Sequence, residues 1–410
     1  MRKISLWCVA GLAAGLGLAT AHAQAVAVPP APDGAIEYMQ SRDWLWAGDQ
    51  LLLLAVPFFF LFTGLGAHLR TWCANRVREN RFWTLTLFAI TYLILSTLIQ
   101  APFDFYRDFW SVRTTAGFND TASGWALKES VSLITRIAVA GLFIWIPYTL
   151  IRRSPKRWWL YAAAALVPVV FLVLAVLPVW VDPLTVQYRP LQNKALLSEI
   201  ETLATRCGVH EIPVLVGGDD DTVVGLGPTK RIFLDQNIFK DETPGQIRFI
   251  VGHELKHYVE NDNYKALAII AVLLLTGFWL ADRLGRAAIR RFHELFGFRE
   301  LCDPASLPLF LLILAAFWLC VTPAFNLFAR HIEHEADRFG LELTHENRAM
   351  AEMEVQYIKR DHVTPEWDMF FLIFRATHPS NGERIRFANI YHPWLEGQPL
   401  VYGNVCRAES

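Results

Sequence analysis

Two histidines and a glutamate within five residues are the part of this chain best suited to chemistry. His253, Glu254 and His257 form the pattern H-E-x-x-H. Residues four apart lie on one face of a helix, so both imidazoles can reach one metal ion. In zinc hydrolases with this pattern, zinc activates a water molecule and the glutamate takes its proton. The pattern predicts His253 and His257 as zinc ligands and Glu254 as general base. The alternative, two unrelated histidines on a polar helix face, is weakened by the rest of the chain.

The residues before the motif predict the helix that carries it. Thr243-Pro244-Gly245-Gln246 combines an N-cap, a proline in the first turn and a capping-box glutamine. Ile247, Ile250, Val251 and Leu255 follow at helical spacing. This apolar stripe would fix the helix in the protein while the histidine pair faces a cleft.

A catalytic zinc site needs a third protein ligand and an open position for water. The candidates lie just past the last apolar run of the chain and are His331, Glu333, His334 and Glu335. All four are chemically able to bind zinc, and their spacing from the first motif does not choose among them. A solvated charged cluster at a membrane surface is the alternative.

The hydrophobic pattern indicates a membrane protein. The 410 residues are 53% hydrophobic, and the apolar residues form six runs at 51–67, 84–101, 131–151, 158–181, 266–281 and 306–328. Each run is about long enough to cross the ~30 Å hydrocarbon core of a bilayer. The formal net charge of −1 implies no nucleic-acid partner.

The first residues have the composition of an export signal. Arg2 and Lys3 precede an apolar stretch to Thr20, and an A-x-A cleavage pattern follows over 21–23. We therefore expect a signal peptide over 1–23 and an exported linker over 24–48. An uncleaved anchor helix would export the following residues equally well.

Arginine-rich loops predict the orientation in the membrane. The loops at 68–82, 152–157 and 282–304 are rich in arginine, which predicts that they lie inside. The expected organisation is a four-span domain over 49–181, a zinc protease domain over 182–262, two spans over 263–328 and the rest of the protease domain over 329–410. Residues 182–262 and 329–410 would then lie outside, in the periplasm of a Gram-negative host.

The exported segments predict a mixed α and β domain. An amphipathic helix is expected over 190–207, opened by Pro190 and closed by Gly208. Strands are expected over 212–216, 222–226 and 231–235, because these short runs are separated by Gly- and Asp-rich turns. Two of the six cysteines, Cys207 and Cys406, fall in these segments. They would either form a disulfide or remain as free thiols.

Further motifs occur in the order typical of one family. They are Gly117-Phe118-Asn119, the lead-in over 183–204, Gly225, Lys230-Arg231-Ile232, the pattern N-x-x-S-R-x-x-E-x-x-A-D at Asn326–Asp337 with Ala329 for serine, and H-P-x-x-x-E-R at His378–Arg384. With H-E-x-x-H they make residues 80–390 resemble the type I CAAX prenyl proteases. These are integral-membrane zinc endopeptidases with bacterial relatives.

The resemblance implies a function for the remaining candidates. It implies Glu333 as the third ligand, Asp337 as the carboxylate that orients a ligand histidine, His378 as an oxyanion stabiliser and Arg384 as support for that region. The implied fold is a multi-pass α-helical membrane protein with a mixed α+β, gluzincin-like zinc metalloprotease domain around a large intramembrane chamber. We expect one Zn²⁺ per chain, the lipid bilayer as surroundings, and a peptide substrate that adds as a strand beside residues 222–226.

The chain departs from the family at Asp219-Asp220-Asp221-Thr222, where the family usually has an Asn-Ala pair on the substrate-binding strand. The acidic residues favour a more basic peptide, or form a solvated turn.

Taken together, the motifs and the apolar runs predict a membrane zinc endopeptidase for membrane-associated or exported proteins. The alternatives are a quality-control protease for damaged membrane proteins and a non-catalytic scaffold or chaperone, and the intact Glu254 argues against the latter.

Overall fold

The computed structural model describes residues 25–111, 121–184 and 186–406. The signal peptide expected over 1–23 and the Gly117-Phe118-Asn119 motif lie outside them. The described α-helices are α1 (Ala35–Phe62), α2 (Leu65–Arg76), α3 (Arg81–Phe105), α4 (Ala122–Phe143), α5 (Trp145–Arg153), α6 (Trp158–Val176), α7 (Lys194–Arg206), α8 (Ile238–Asp241), α9 (Pro244–Val259), α10 (Asp262–Phe296), α11 (Leu307–Thr344), α12 (Asn347–Arg360), α13 (Met369–Phe374) and α14 (Asn381–Ile390). The strands are β1 (Arg189–Pro190), β2 (Val214–Val216), β3 (Thr222–Val224) and β4 (Arg231–Leu234).

Six helical segments among the described residues are long and apolar enough to cross a membrane: Ala35–Phe62, Arg81–Trp110, Ala122–Arg153, Trp158–Leu184, Asp262–Phe296 and Pro304–Thr344. Each overlaps one predicted apolar run, which confirms the multi-pass helical architecture. The outer surface of these helices is apolar. For example, α4 has no buried side chain among those described, and Ile134 and Leu142 are 65% and 63% exposed. Such a surface requires lipid around it.

The first helix begins earlier than the sequence predicts. Residues 35–48 are helical rather than part of a linker over 24–48. Their composition is too polar to be recognised as part of a span, and contacts with the protease domain fix them instead. Asp43 forms an ion pair with Arg375, and the rings of Trp46 and Phe370 are 5.6 Å apart.

The three arginine-rich loops meet at one end of the helices. Arg70 forms an ion pair with Asp303, which joins the first loop to the third. Arg286 donates a hydrogen bond to the carbonyl of Pro155, which joins the third loop to the second. These contacts agree with the prediction that the three loops share one side of the membrane.

A four-stranded sheet with order β1-β2-β4-β3 lies outside the spans. β2 and β4 are parallel, and the pairs β1-β2 and β3-β4 are antiparallel. The three predicted strands are present but shorter, whereas β1 was not predicted because two residues show no alternating pattern. β3 is an edge strand. The sheet, α7 and α9 share one hydrophobic core. It includes the buried side chains of Ile200, Ile232, Leu234, Val251 and Leu255.

One long helix connects the membrane to the protease domain. α11 runs without a break from Leu307 to Thr344, so the expected division at residue 328 is a change in hydropathy and not in secondary structure.

In the protease domain, Cys207 and Cys406 form a disulfide. This pairing selects one of the two alternatives that the sequence left open, and it fixes the C-terminal segment against the end of α7.

Candidate active site

Helix α9 holds the H-E-x-x-H residues in a fixed orientation. Thr243 caps it by accepting a hydrogen bond from the N–H of Gln246, and the Gln246 side chain accepts one from the N–H of Thr243 at 2.7 Å. The predicted capping box is therefore present. Val251 and Leu255 are fully buried on the opposite face, which turns His253 and His257 toward the cleft.

Three potential ligand atoms converge beside α9. Nε2 of His253 is 3.2 Å from Nε2 of His257 and 3.1 Å from Oε2 of Glu333. The His257 and Glu333 atoms are 3.8 Å apart. A tetrahedral zinc ion with bonds of about 2.0–2.2 Å holds its ligand atoms about 3.3–3.6 Å apart. The chemistry and spacing of this set therefore fit one zinc ion.

The other candidates for a third ligand contact different groups. Glu335 forms an ion pair with Arg338 at 2.5 Å and accepts a hydrogen bond from the Tyr402 hydroxyl at 2.8 Å. The ring of His334 packs 4.5 Å from that of Phe387, and His331 is exposed. Of the four, Glu333 is the one that brings an oxygen to both imidazoles.

Asp337, one turn after Glu333 on α11, lies behind His253. Its Oδ1 is 3.0 Å from Nδ1 of His253, which leaves Nε2 free for the metal. Nε and Nη2 of Arg384 donate to the same carboxylate at 2.8 and 2.6 Å, and Arg384 also pairs with buried Glu354. The family resemblance implies Arg384 as support for the region around His378, and the direct contacts of its guanidinium are with Asp337 and Glu354.

The pKa shifts of Arg384 and Glu354 follow from these contacts. Burial lowers the pKa of Arg384, but the carboxylates of Asp337 and Glu354 outweigh this effect and raise it. Burial raises the pKa of Glu354 to about 7 even though Arg384 lowers it. Arg384 is therefore a permanent cation inside the domain, and it compensates the buried charge of Asp337.

A second carboxylate, which sequence reasoning missed, lies behind His257. Oδ2 of Asp262 is 2.8 Å from Nδ1 of His257 and accepts a hydrogen bond from Nζ of Lys256 at 2.7 Å. Both imidazoles thus have a carboxylate on the nitrogen that faces away from the metal position. The sequence signal that could have identified Asp262 was its position five residues after His257, at the start of the next helix.

Glu254 is buried at the bottom of the cleft. Its ligand atom lies within 4.8 Å of those of His253 and His257. Burial raises the pKa of Glu254, while the two imidazoles and the backbone N–H of Val223 in β3 oppose that rise. A carboxylate with a raised pKa is a stronger proton acceptor than one in water.

His378 lies at the rim of the cleft. Its Nε2 is 3.3 Å from Oε2 of Glu333, and its side chain is 58% exposed. The Thr377 hydroxyl, 3.0 Å from Nδ1, orients the ring. An exposed imidazole beside the metal position can donate a hydrogen bond to a bound substrate.

Two cavities meet at His253, Glu254 and His378. The first, of about 240 Å³, extends toward acidic residues of the β3 region. The second, of about 510 Å³, lies between β3 and the apolar faces of α10 and α11, where Ile269 and Phe328 line it. A peptide can therefore approach the site from both directions.

Comparisons with known proteins find relatives for both parts of the chain. Residues 190–391 match peptidase family M48, and residues 33–186 match the CAAX prenyl protease N-terminal domain with five membrane helices. The fold resembles the crystal structure of S. mikatae Ste24p, with a TM-score of 0.72 and 20% identity over 87% of this chain and 88% of that one.

Similar sequences include metalloproteases from bacteria and yeast. The uncharacterized metalloprotease YhfN of Bacillus subtilis is 32% identical over 82% of either chain. CAAX prenyl protease 1 of Saccharomyces cerevisiae is 24% identical over 71% of this chain and 69% of its own. The chain therefore belongs to peptidase family M48 as a bacterial-type member of the CAAX prenyl protease family, and it is a membrane metalloendopeptidase.

Proposed function

We propose that this chain is a zinc-dependent endopeptidase that cleaves membrane-associated or exported proteins at the outer face of a bacterial inner membrane. The observation that carries the proposal is the convergence of His253, His257 and Glu333 within 3.1–3.8 Å of one another. The buried carboxylate of Glu254 lies beside them. A non-catalytic scaffold would have no use for this carboxylate.

His253, His257 and Glu333 would hold one zinc ion per chain. Asp337 and Asp262 would fix the orientation of the two imidazoles through their Nδ1 atoms. When bound, zinc supplies a Lewis acid that polarises the substrate carbonyl and makes water more acidic.

Glu254 acts as the general base in this proposal. It takes a proton from the attacking water as the new C–O bond forms at the scissile carbonyl. It then returns that proton to the leaving amine as the C–N bond breaks. The position of Glu254, buried beside His253 and His257, supports both proton transfers.

His378 donates a hydrogen bond to the oxyanion, because it is exposed beside the cleft and 3.3 Å from Glu333. Arg384 is a positioning residue rather than a catalytic one. It contacts Asp337, which in turn holds His253. Its effect on the reaction would pass through the orientation of that ligand.

The substrate would bind in extended form along β3. This strand pairs with β4 on one side only, and Thr222 and Val223 line the same cavity as Glu254. An added strand would satisfy the backbone groups of this edge and bring a peptide bond to the metal position.

Two observations support an active site outside the cytoplasm. Cys207 and Cys406 form a disulfide beside the protease domain, as proteins in oxidising compartments do. The arginine-rich loops meet at the other end of the spans. Alkaline phosphatase fused after Ser410 should be active, and fused after Arg153 inactive. The reverse pattern would place the site in the cytoplasm.

Metal removal tests the proposed chemistry. The purified full chain should contain one zinc, lose cleavage of a peptide library after chelation, and regain it with one equivalent of zinc. Cleavage that survives complete zinc removal would contradict the proposal. Mass spectrometry of membrane-protein termini, with and without active enzyme, would then distinguish specific processing from quality control.

A further inference from the structure

An acidic cavity beside Glu254 is not used by the mechanism. Its volume is about 240 Å³, and its acidic wall consists of Asp219, Asp220, Asp221, Asp235, Asp241 and Glu242. The cavity opens directly onto His253 and Glu254. A side chain next to the scissile bond of a bound peptide would therefore reach it.

Glu242 is the residue that points to a ligand. Its side chain is only 5% exposed, and its Oε2 is buried with no hydrogen-bond partner among the described residues. The cation near its other oxygen, Arg360, is 3.7 Å away and is itself 53% exposed. A buried carboxylate oxygen without a donor is costly in free energy. Binding of a substrate cation would remove that cost.

Two of the neighbouring acidic residues, Asp221 and Asp219, already have hydrogen-bond partners in the protein. Oδ1 of Asp221 accepts a hydrogen bond from the N–H of Asp235 at 2.9 Å. Oδ1 of Asp219 accepts one from Nε2 of Gln236 at 2.9 Å. These residues add negative potential to the cavity, whereas Oε2 of Glu242 is a buried acceptor without a hydrogen-bond donor among the described residues.

Arg360 and Arg384 also line the cavity, and they face Glu242 and Asp337 respectively. Another part of the wall suits the stem of a long basic side chain. Phe249, Ile250 and Met353 line the cavity together with the ring of Tyr357. A lysine or arginine buries its methylene groups against such a surface while its charged end reaches an acidic partner. A neutral apolar side chain would fill the same space but leave Glu242 without a donor.

We infer that this cavity is a specificity subsite for a lysine or arginine side chain next to the scissile bond of the substrate. The inference rests on the proposed function, since it requires peptide cleavage at this site. It adds that the enzyme selects basic peptides by charge.

Matched fluorogenic peptides test the inference on the zinc-loaded full chain in detergent micelles. The peptides carry lysine, methionine or glutamate in turn at either residue flanking one scissile bond. At one of the two positions, kcat/KM should be about 10- to 100-fold higher for lysine than for methionine, as expected for a hydrogen bond to a charged group. Glutamate should be the poorest of the three.

Glu242→Gln should reduce the lysine-to-methionine ratio about tenfold or more. Glu242→Asp, which keeps the charge, should retain part of the preference. Glu201→Gln, an exposed change on α7, is the matched control and should keep the wild-type ratio. Zinc content and thermal stability establish that each variant is folded. If Glu242→Gln does not fold, Asp221→Asn gives a second test.

A wild-type enzyme without a lysine preference at either position would overturn the inference. So would a Glu242→Gln variant with the wild-type ratio. If the zinc-loaded wild type cleaves none of the peptides, the proposed proteolysis fails, and that result is distinct from cleavage without selectivity.

Discussion

Asp337→Asn removes one charge from a buried network with little change in shape. Asp337 is completely buried, and its two oxygens face three N–H groups, one from His253 and two from Arg384. An asparagine side chain has one acceptor oxygen and one donor nitrogen. In the variant, at least one of these N–H groups must therefore face an NH₂ group.

The structure gives the expected magnitudes. Breaking a buried ion pair by removing one partner costs about 3–5 kcal/mol. Since Arg384 keeps its ion pair with Glu354, we expect the lower end, about 3 kcal/mol of unfolding free energy. Loss of the carboxylate behind a metal-binding histidine weakens metal binding about 10- to 100-fold. We expect that loss for zinc, because Nδ1 of His253 would no longer face an anion.

Competition with a zinc chelator measures the Kd, and thermal inactivation reports the loss of stability. Glu335→Gln is the matched control. It removes a carboxylate two residues earlier on α11, where the partners are Arg338 and Tyr402 and not the histidine pair. The control should keep the wild-type zinc Kd. If Asp337→Asn also keeps it, the proposed function of the Asp337 contact is wrong.

Three further predictions concern the other partners of the site. Glu333→Ala should release zinc because two protein ligands hold it poorly, whereas Glu335→Ala should retain it. Elemental analysis distinguishes the two variants, and the opposite result would make Glu335 the third ligand. Asp262→Asn should weaken zinc binding about 10- to 100-fold through His257, and a wild-type Kd in chelator competition would show that the 2.8 Å contact does not support the metal. Cys207→Ser should shorten the half-life of activity on heating, because the disulfide closes a loop with a sequence separation of 199 and such closure typically stabilises by about 2–4 kcal/mol; an unchanged half-life would contradict this.

Local sequence signals predicted much of the architecture. The capping residues Thr243 and Gln246 identified the start of α9, and the apolar runs identified the six spans. These features depend on neighbours within a few residues, so spacing and hydropathy reveal them. The resemblance to a known family pointed to Glu333 among four chemically equivalent candidates, which spacing alone did not distinguish.

The remaining features depend on how separate helices pack against one another. Asp262 lies outside the H-E-x-x-H pattern, and its link to His257 appears only once α10 turns away from α9. The contact of Arg384 with Asp337 joins α14 to α11, and no periodicity in the sequence encodes it. The early start of α1 depends on the ion pair between Asp43 and Arg375.

The most direct test of the proposed mechanism is the Glu254→Gln variant, assayed for zinc content and peptide hydrolysis in the same preparation. The amide keeps the shape of the side chain but cannot accept the proton of the attacking water. We predict one zinc per chain, as in the wild type, and a loss of kcat of about 10²- to 10⁴-fold. A variant that binds zinc and cleaves peptides at the wild-type rate would contradict the assignment of Glu254 as the general base, and with it the proposed mechanism.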